Sequence, residues 1–480
     1  MGQDIRKMFM DVIRKWTPHL DEPAEEDCWA PEIEKAGPDK LKEIQSEKLE
    51  IAFRYIYEYS PYYSNKYKKA GLTPSDIKSI EDLHKIPVTD KEDLRAAIKG
   101  KPPWGDFSCI DDDYWKNDGW TIWWTTGSTG APVPCRYSQF DRVTQAWQAA
   151  RHMWMSGFRR GDLAMFCAPF ITHMFAWAHY SGLVLAKIPA IPAGPPMPTE
   201  ARIGHILGYR PTLLLGTPTY MIYLGETMKE RGIDPKDISV REILIGGEPG
   251  GSLYATRKRL MTLWGCDVCD GFGTTEVGAL GGHAHTCEFE TKDQGRNSNL
   301  HFTEDSGIPE ILNPETFEPV PDGENGTIVW SSVSTVSQPI LRFNLNDIMN
   351  IQSVDCPCGR GLRMAVGGVQ GRADDMIHVS GVNVFPANIE EAVRSIDEFG
   401  NEYRLKLMDG KKGMINLIVE AEIRPEVPEQ DHERLIKELQ AKIFDKCQIN
   451  PKIESVPYGE LPRAEFKSKR ILDLREKDEG

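Results

Sequence analysis

A chain of 480 residues is too long for one compact core, so its length predicts a large body with at least one smaller appended domain. Hydrophobic residues at 40% and charged residues at 27% exclude a disordered or fibrous chain. The formal net charge of −15 excludes a broad nucleic-acid-binding surface, which needs clustered Lys and Arg, and leaves any anionic ligand to be met by local donors.

The opening MGQDIRKMFMDVIRKW is charged from position 4 and holds no sustained apolar run, so neither a signal peptide nor a membrane anchor is predicted and a cytoplasmic location is expected. Gly2 does not make a myristoylation signal, because Arg6 stands where Ser or Thr is needed. Residues 39–70 carry Leu41, Ile44, Leu49, Ala52, Phe53, Ile56 and Tyr57 at roughly helical spacing, closed by Gly71 and Pro74; a mainly helical entry region over 1–115 follows. From about residue 120 to 350 the apolar runs DLAMFCAP, AKIPAIPA, PTLLLGTP, EILIGGEP, CDVCDGFG and GTIVWSS alternate with helical stretches, which predicts α/β layers around largely buried sheets. The apolar stretch Leu163 to Ile191 is broken by Pro169, His173, His179, Lys187 and Pro189, so it reads as buried strand, helix and strand rather than a bilayer span. Further on, INLIVEAEI and the charged helix EQDHERLIKELQAKIFDK predict an α+β C-terminal domain of about a hundred residues. With a hinge at Asp374, the division is 1–373 and 374–480, and the tail LREKDEG is expected to fray. Ten cysteines read as reduced thiols or metal ligands rather than a disulfide framework.

Five motifs carry candidate chemistry. WTTGSTGAP, Trp124 to Pro132, offers backbone N–H groups and hydroxyls to phosphate oxygens, although taken alone a surface turn serves equally well, and it lacks the lysine of a Walker A loop. In GFGTTEVG, Gly271 to Gly278, Glu276 is the only acid; it suits a Mg²⁺ ion bridging phosphates, or the capping of a following helix. IGGEPG, Ile245 to Gly250, is a strand followed by a glycine turn that lets a flat base lie against backbone. PILRFNLNDI ends near Asp347, which can accept both ribose hydroxyls, and GRADDMIHVSGVNVFP brings Arg372, Asp374 and Asp375; surface ion pairing is the alternative, and the preferred reading for Asp375. In LPRAEFKSKR, Lys467 can stabilise charge at an α-phosphate. Phe170, Phe175, Trp177, His179 and Tyr220 are candidates for enclosing an aryl group, or else plain core.

In this order the five motifs resemble the adenylate-forming acyl-CoA synthetase superfamily, and within it the phenylacetate–CoA ligase-like family, over roughly residues 40 to 475. The segments CPCGRG and GRADDMIHVSGVNVFPANIEEAV are especially similar. The resemblance implies an α/β fold with a large N-terminal body and a smaller mobile α+β C-terminal lid domain. It implies that Thr125, Thr126, Gly127, Ser128, Thr129 and Gly130 form the phosphate loop, and that Gly247, Glu248 and Pro249 form the adenine-side turn. Thr275 would touch the α-phosphate, Glu276 would hold Mg²⁺, Asp347 would bind ribose with Arg372 assisting, Asp374 would be the hinge, and Lys467 would serve adenylation. Phe175, His179 and Tyr220 would line the acid pocket. Cys287, His301, Cys356 and Cys358 would form a Cys₃His structural Zn²⁺ site, with reduced buried thiols as the alternative. Three departures stand out: Ala131 replaces the usual lysine of the loop, Asn344 and Leu345 replace arginine and threonine, and Phe466 replaces the glycine before the lysine.

The implied activity is an AMP-forming carboxylate–CoA ligase that uses ATP and coenzyme A to activate an aromatic or arylacetic acid. The partners implied are small molecules, with no nucleic acid, no membrane span and a possible homodimer. The competing readings are an adenylyltransferase of the coenzyme F390 synthetase type and a nucleotide-binding module that has lost catalysis.

Overall fold

In an extended chain successive side chains point to opposite sides, so a run apolar at every position must be covered on both. Leu213 and Leu215 pack with Phe166, Leu244, Ala149 and Leu183, whereas Leu214 between them packs with Met165, Ile243, Ile245, Met221 and Leu260. One sheet therefore separates two hydrophobic cores. The computed structural model describes residues 4–125, 130–248, 250–251, 253–284, 299–373, 375–379, 382–410, 415–462 and 470–475, with backbone alone at 279–284, 378 and 383.

The sheet has eight strands in the spatial order Met364–Ala365, Leu300–Phe302, Ala279–Ala284, Asp267–Thr274, Glu242–Gly246, Leu213–Gly216, Ala164–Phe166, Ala190–Pro192. The last five run parallel, and the others pair antiparallel. Helices Gln139–Met155 and Phe175–Leu185 cover one face, and helices Thr199–Tyr209, Pro218–Glu230 and Tyr254–Trp264 the other, giving the expected α/β layers. The stretch from 163 to 191 forms strand, helix and strand as its prolines and charges require, and no described helix is long and apolar enough to cross a membrane.

GTIVWSS is a strand, Gly326–Ser332, but it lies in a second, antiparallel sheet with Gly307–Leu312, Phe343–Met349 and Gly371–Arg372. The N-terminal apolar stretch forms two helices, Pro38–Tyr59 and Pro61–Lys69, rather than one continuous run. Pro61 has no amide to continue the ladder, and the Ser60 hydroxyl accepts from the Tyr63 amide at 3.3 Å to start the second helix. A later helix, Lys91–Gly100, begins with Asp90 and Asp93 capping each other's backbone amides. It is moored to the second sheet, because the Thr89 amide donates to the Arg342 carbonyl and the Asn344 amide donates to the Thr89 carbonyl, both at 2.8 Å.

The C-terminal segment has its own core of Val384, Ile389, Phe399, Leu405, Val419, Leu435 and Ile443. It holds four strands in the order Lys452–Val456, Ile415–Ile423, Phe399–Asp409, Ile471–Asp473, with helices Pro386–Arg394 and Glu429–Cys447. The predicted INLIVEAEI strand and charged helix are both there.

Candidate active site

Two glycine turns leave the carboxyl ends of adjacent parallel strands, where open α/β sheets bind ligands. After Glu242–Gly246, Gly247 adopts φ +85° and Gly250 φ +133°, conformations that only glycine holds without strain. Glu248, between them, accepts the Thr219 amide at 2.8 Å, and so caps the start of helix Pro218–Glu230. Burial pushes its carboxyl above the ordinary range.

After Asp267–Thr274, the Thr275 carbonyl accepts the Tyr137 hydroxyl at 3.2 Å, and Gly278 turns back at φ +65°. Glu276 is buried and meets the Lys91 ammonium at 2.7 Å. Facing this turn is the neck of the Thr/Ser/Gly loop. Thr125 donates its amide to the Val133 carbonyl at 3.1 Å and accepts the Val133 amide on its hydroxyl at 3.0 Å, so both ends of the loop are pinned. On the exit side, the Arg95 Nε donates to the Ala131 carbonyl at 3.0 Å.

Asp347 and Arg372 are directly opposite across two antiparallel strands, with a guanidinium nitrogen 3.5 Å from the carboxylate. The departure at Asn344 has a local structural role. Its side-chain oxygen accepts the Thr327 hydroxyl at 2.7 Å and the Asn346 amide at 3.1 Å, which supports Asn346 at φ +61° just before Asp347.

The aromatic candidates divide. Phe175 and His179, one turn apart on helix Phe175–Leu185, meet in a tilted ring contact with centroids 4.7 Å apart, and the Phe175 ring lies against Gly246. Burial lowers the His179 pKa to about 4, so the imidazole is neutral at pH 7. Phe170 packs edge-on against Trp177 at 5.1 Å, beside this helix. Tyr220 is elsewhere: it belongs to the core on the opposite face of the sheet, and its hydroxyl is engaged by Thr199 and Arg202. The structure does not bring it together with Phe175 and His179.

His301, Cys356 and Cys358 converge, with ligand atoms all within 4.8 Å of one another. The His301 Nδ1 sits 3.0 Å from the Leu362 carbonyl, which turns Nε2 toward the Cys358 sulfur at 3.3 Å. Burial works to discharge this imidazole, but its hydrogen bonds with Cys356 and Cys358 outweigh that and push its pKa up to about 9. The set of one imidazole and two thiols suits a metal ion.

Thr126, Gly127, Ser128, Thr129, Pro249, Cys287, Asp374 and Lys467 lie outside the described residues. Arg470, three positions beyond Lys467, pairs with Glu402; burial works against its charge, but Tyr403, Glu402, Glu390 and, least of these, Glu248 raise its pKa. Lys91 and Arg95 escaped the sequence reading. The available signal was a phosphate loop without any cation, which calls for basic groups from another segment.

The AMP-binding enzyme family matches residues 64–338, and the AMP-binding enzyme C-terminal domain matches residues 381–475. The phenylacetate-coenzyme A ligase of Aromatoleum evansii is 31% identical over 453 residues, covering 93% of this chain and 97% of that protein. Among solved structures, 2-hydroxyisobutyryl-CoA ligase with its acyl-AMP in the postadenylation state superposes with a TM-score of 0.86 at 26% identity, over 94% of this chain and 93% of that one. The same ligase with CoA in the thioesterification state gives 0.69 at 27% identity, over 95% and 94%. The chain belongs to the AMP-binding, adenylate-forming enzymes, to their phenylacetate–CoA ligase-like members, and is an AMP-forming acyl-CoA ligase that uses ATP and CoA.

Proposed function

We propose that the acid activated by this ligase is aromatic or arylacetic. The observation that carries this reading is the Phe175 ring against Gly246, next to the adenine-side turn, with a neutral His179 tilted against it. An apolar wall with one uncharged polar group matches a flat, weakly polar acid. The relatives named phenylacetate-coenzyme A ligase support it, whereas 2-hydroxyisobutyryl-CoA ligase is named for a small aliphatic acid.

In the proposed chemistry the acid's carboxylate oxygen attacks the α-phosphorus of ATP and pyrophosphate leaves. The CoA thiol, losing its proton, then attacks the acyl carbon and AMP leaves. The pinned loop from Thr125 to Gly130 and the turn at Thr275 cradle phosphates, Gly247 to Pro249 flank the base, and Asp347 with Arg372 holds the ribose. Lys467 stabilises the negative charge that grows on the α-phosphate during the first attack. Glu276 is a buried oxygen donor of the type Mg²⁺ prefers and would hold that ion, which would supply positive charge against the triphosphate. His301, Cys356 and Cys358, with Cys287 as fourth ligand, would hold a structural Zn²⁺ that would take no part in the reaction. The domain boundary is placed at Asp374, a reading supported by the separate core that follows it.

The test is pyrophosphate release with ATP and Mg²⁺ against aryl, arylacetic and aliphatic acids, each with and without CoA, together with Lys467→Ala. Release that depends on an arylacetic or aryl acid, rises with CoA and collapses in the variant is expected. A preference for short aliphatic acids would overturn the substrate class, and release without any acid would favour adenylyl transfer to a hydroxyl.

A further inference from the structure

The Thr/Ser/Gly loop contains no basic residue, and the chain as a whole is strongly acidic, yet a triphosphate must be neutralised where it binds. The structure brings in cations from a segment remote in sequence. Helix Lys91–Gly100 carries Lys91 and Arg95, four residues apart and therefore on one face. Lys91 reaches the turn after the Asp267–Thr274 strand, where its ammonium is 2.7 Å from Glu276. Arg95 reaches the other side of the site and donates to the Ala131 carbonyl at 3.0 Å.

At the exit of the loop, Gly130 leaves room for this guanidinium. Gly130 adopts φ +147°, and a methyl group there would sit 2.9 Å from the Arg95 guanidinium carbon, so the absence of a side chain lets the cation lie against the backbone. The helix is held in place by the reciprocal capping of Asp90 and Asp93, and by Thr89 bonded to Arg342 and Asn344 at the start of the strand that carries Asp347. Its first turn is thus fixed relative to the candidate ribose, phosphate and metal-binding residues.

We infer that Lys91 and Arg95 bind the β- and γ-phosphates of ATP, taking the part of the cation that the loop lacks at Ala131. This rests on the nucleotide-site reading given above. Without nucleotide, Lys91 and Glu276 neutralise each other; the polyphosphate, with its greater charge, draws the ammonium across and frees a Glu276 oxygen. Arg95, which also pairs with the solvent-exposed Glu92, turns from the Ala131 carbonyl to a phosphate oxygen or bridges both.

The experiment is calorimetric titration of the full-length chain with ATP and, separately, with AMP, for wild type, Lys91→Met, Arg95→Met and the double variant. Each single variant should weaken ATP binding roughly tenfold or more, as expected for a charge-assisted hydrogen bond, and leave AMP binding unchanged. Adding Ala131→Lys to the double variant should restore part of the ATP affinity. Equal loss for ATP and AMP would overturn the inference in favour of a purely structural role, and so would unchanged ATP affinity in both single variants. A wild-type chain that binds AMP and ATP equally weakly would overturn the nucleotide-site reading itself.

Discussion

Glu226, on the large body, accepts a hydrogen bond from Arg424 of the C-terminal domain at 2.8 Å. Asn401 of the same domain also reaches this carboxylate, and Arg259 flanks it at 3.1 Å. Nearby, the Ala255 amide at the start of helix Tyr254–Trp264 donates to the Glu391 carboxylate at 3.1 Å, an anion at the positive end of a helix. These contacts fasten the domains in an arrangement that superposes better on a postadenylation state than on a thioesterification state. Glu226→Gln should loosen it by about 1–3 kcal/mol. Pyrophosphate exchange is expected to slow severalfold, while acyl transfer from supplied acyl-AMP to CoA holds or quickens. Equal slowing of both half-reactions would refute the assignment of this contact to one state.

Gly246 should act as a gauge of the acid pocket. A methyl group there would lie 3.1 Å from the Phe175 ring and 2.9 Å from the Gly271 carbonyl. Gly246→Ala is expected to lower kcat/KM for aryl and arylacetic acids by about 1–3 kcal/mol relative to short aliphatic acids. Phe175→Ala should do the reverse for bulkier aryl acids. Rates for a graded acid panel check both, and an unchanged rank order in both variants would remove Phe175 from the pocket.

Acid stability should depend on Asp305. Burial would raise its pKa, but the Arg151 guanidinium, in a two-pronged contact at 2.9 and 3.1 Å, overrides that and holds it below the ordinary carboxylate value. Because the folded pKa is below the unfolded one, this contribution is complete above about pH 4 and is lost as pH falls through the folded value. Asp305→Asn leaves the buried Arg151 with Glu34 alone, at 3.3 Å and shared with Arg360, and should cost about 3 kcal/mol at neutral pH. Urea unfolding between pH 3 and 7 would show it; a variant as stable as wild type at pH 7 contradicts the account.

Zinc should copurify at about one ion per chain, and Cys358→Ser should lose it and lower the apparent Tm. Elemental analysis with thermal unfolding, before and after chelation, measures this. Metal-free wild-type protein with an unchanged Tm after chelation would leave His301, Cys356 and Cys358 as a hydrogen-bonded cluster only.

Doubly buried strands were easy to read because they appear as unbroken apolar runs ending in Gly or Pro, as PTLLLGTP does. Which sheet a strand joins was not readable. GTIVWSS looks like its neighbours, and its antiparallel pairing with Gly307–Leu312 on one side and Phe343–Met349 on the other is what places it in the second sheet. The same limit explains Tyr220. As an aromatic it was a candidate for enclosing an aryl group, but the face of the sheet its helix covers depends on chain crossover, which local sequence does not encode. Asp347 and Arg372 were found through their motifs, whereas the Lys91 contact with Glu276 joins segments that share no local pattern.

The division of the central sheet into two cores has an evolutionary consequence. Phe175 and His179 belong to the helix on one face, while Glu226 and Ala255 belong to helices on the other, and the strands between are fully occupied by their own packing. Residues this far separated, with no shared partners, contribute nearly additively. With the acid pocket proposed at Phe175 and His179, acid preference can drift by substitution on the first face while the docking of the C-terminal domain on the second stays intact, so one catalytic cycle can be inherited by ligases of very different acids.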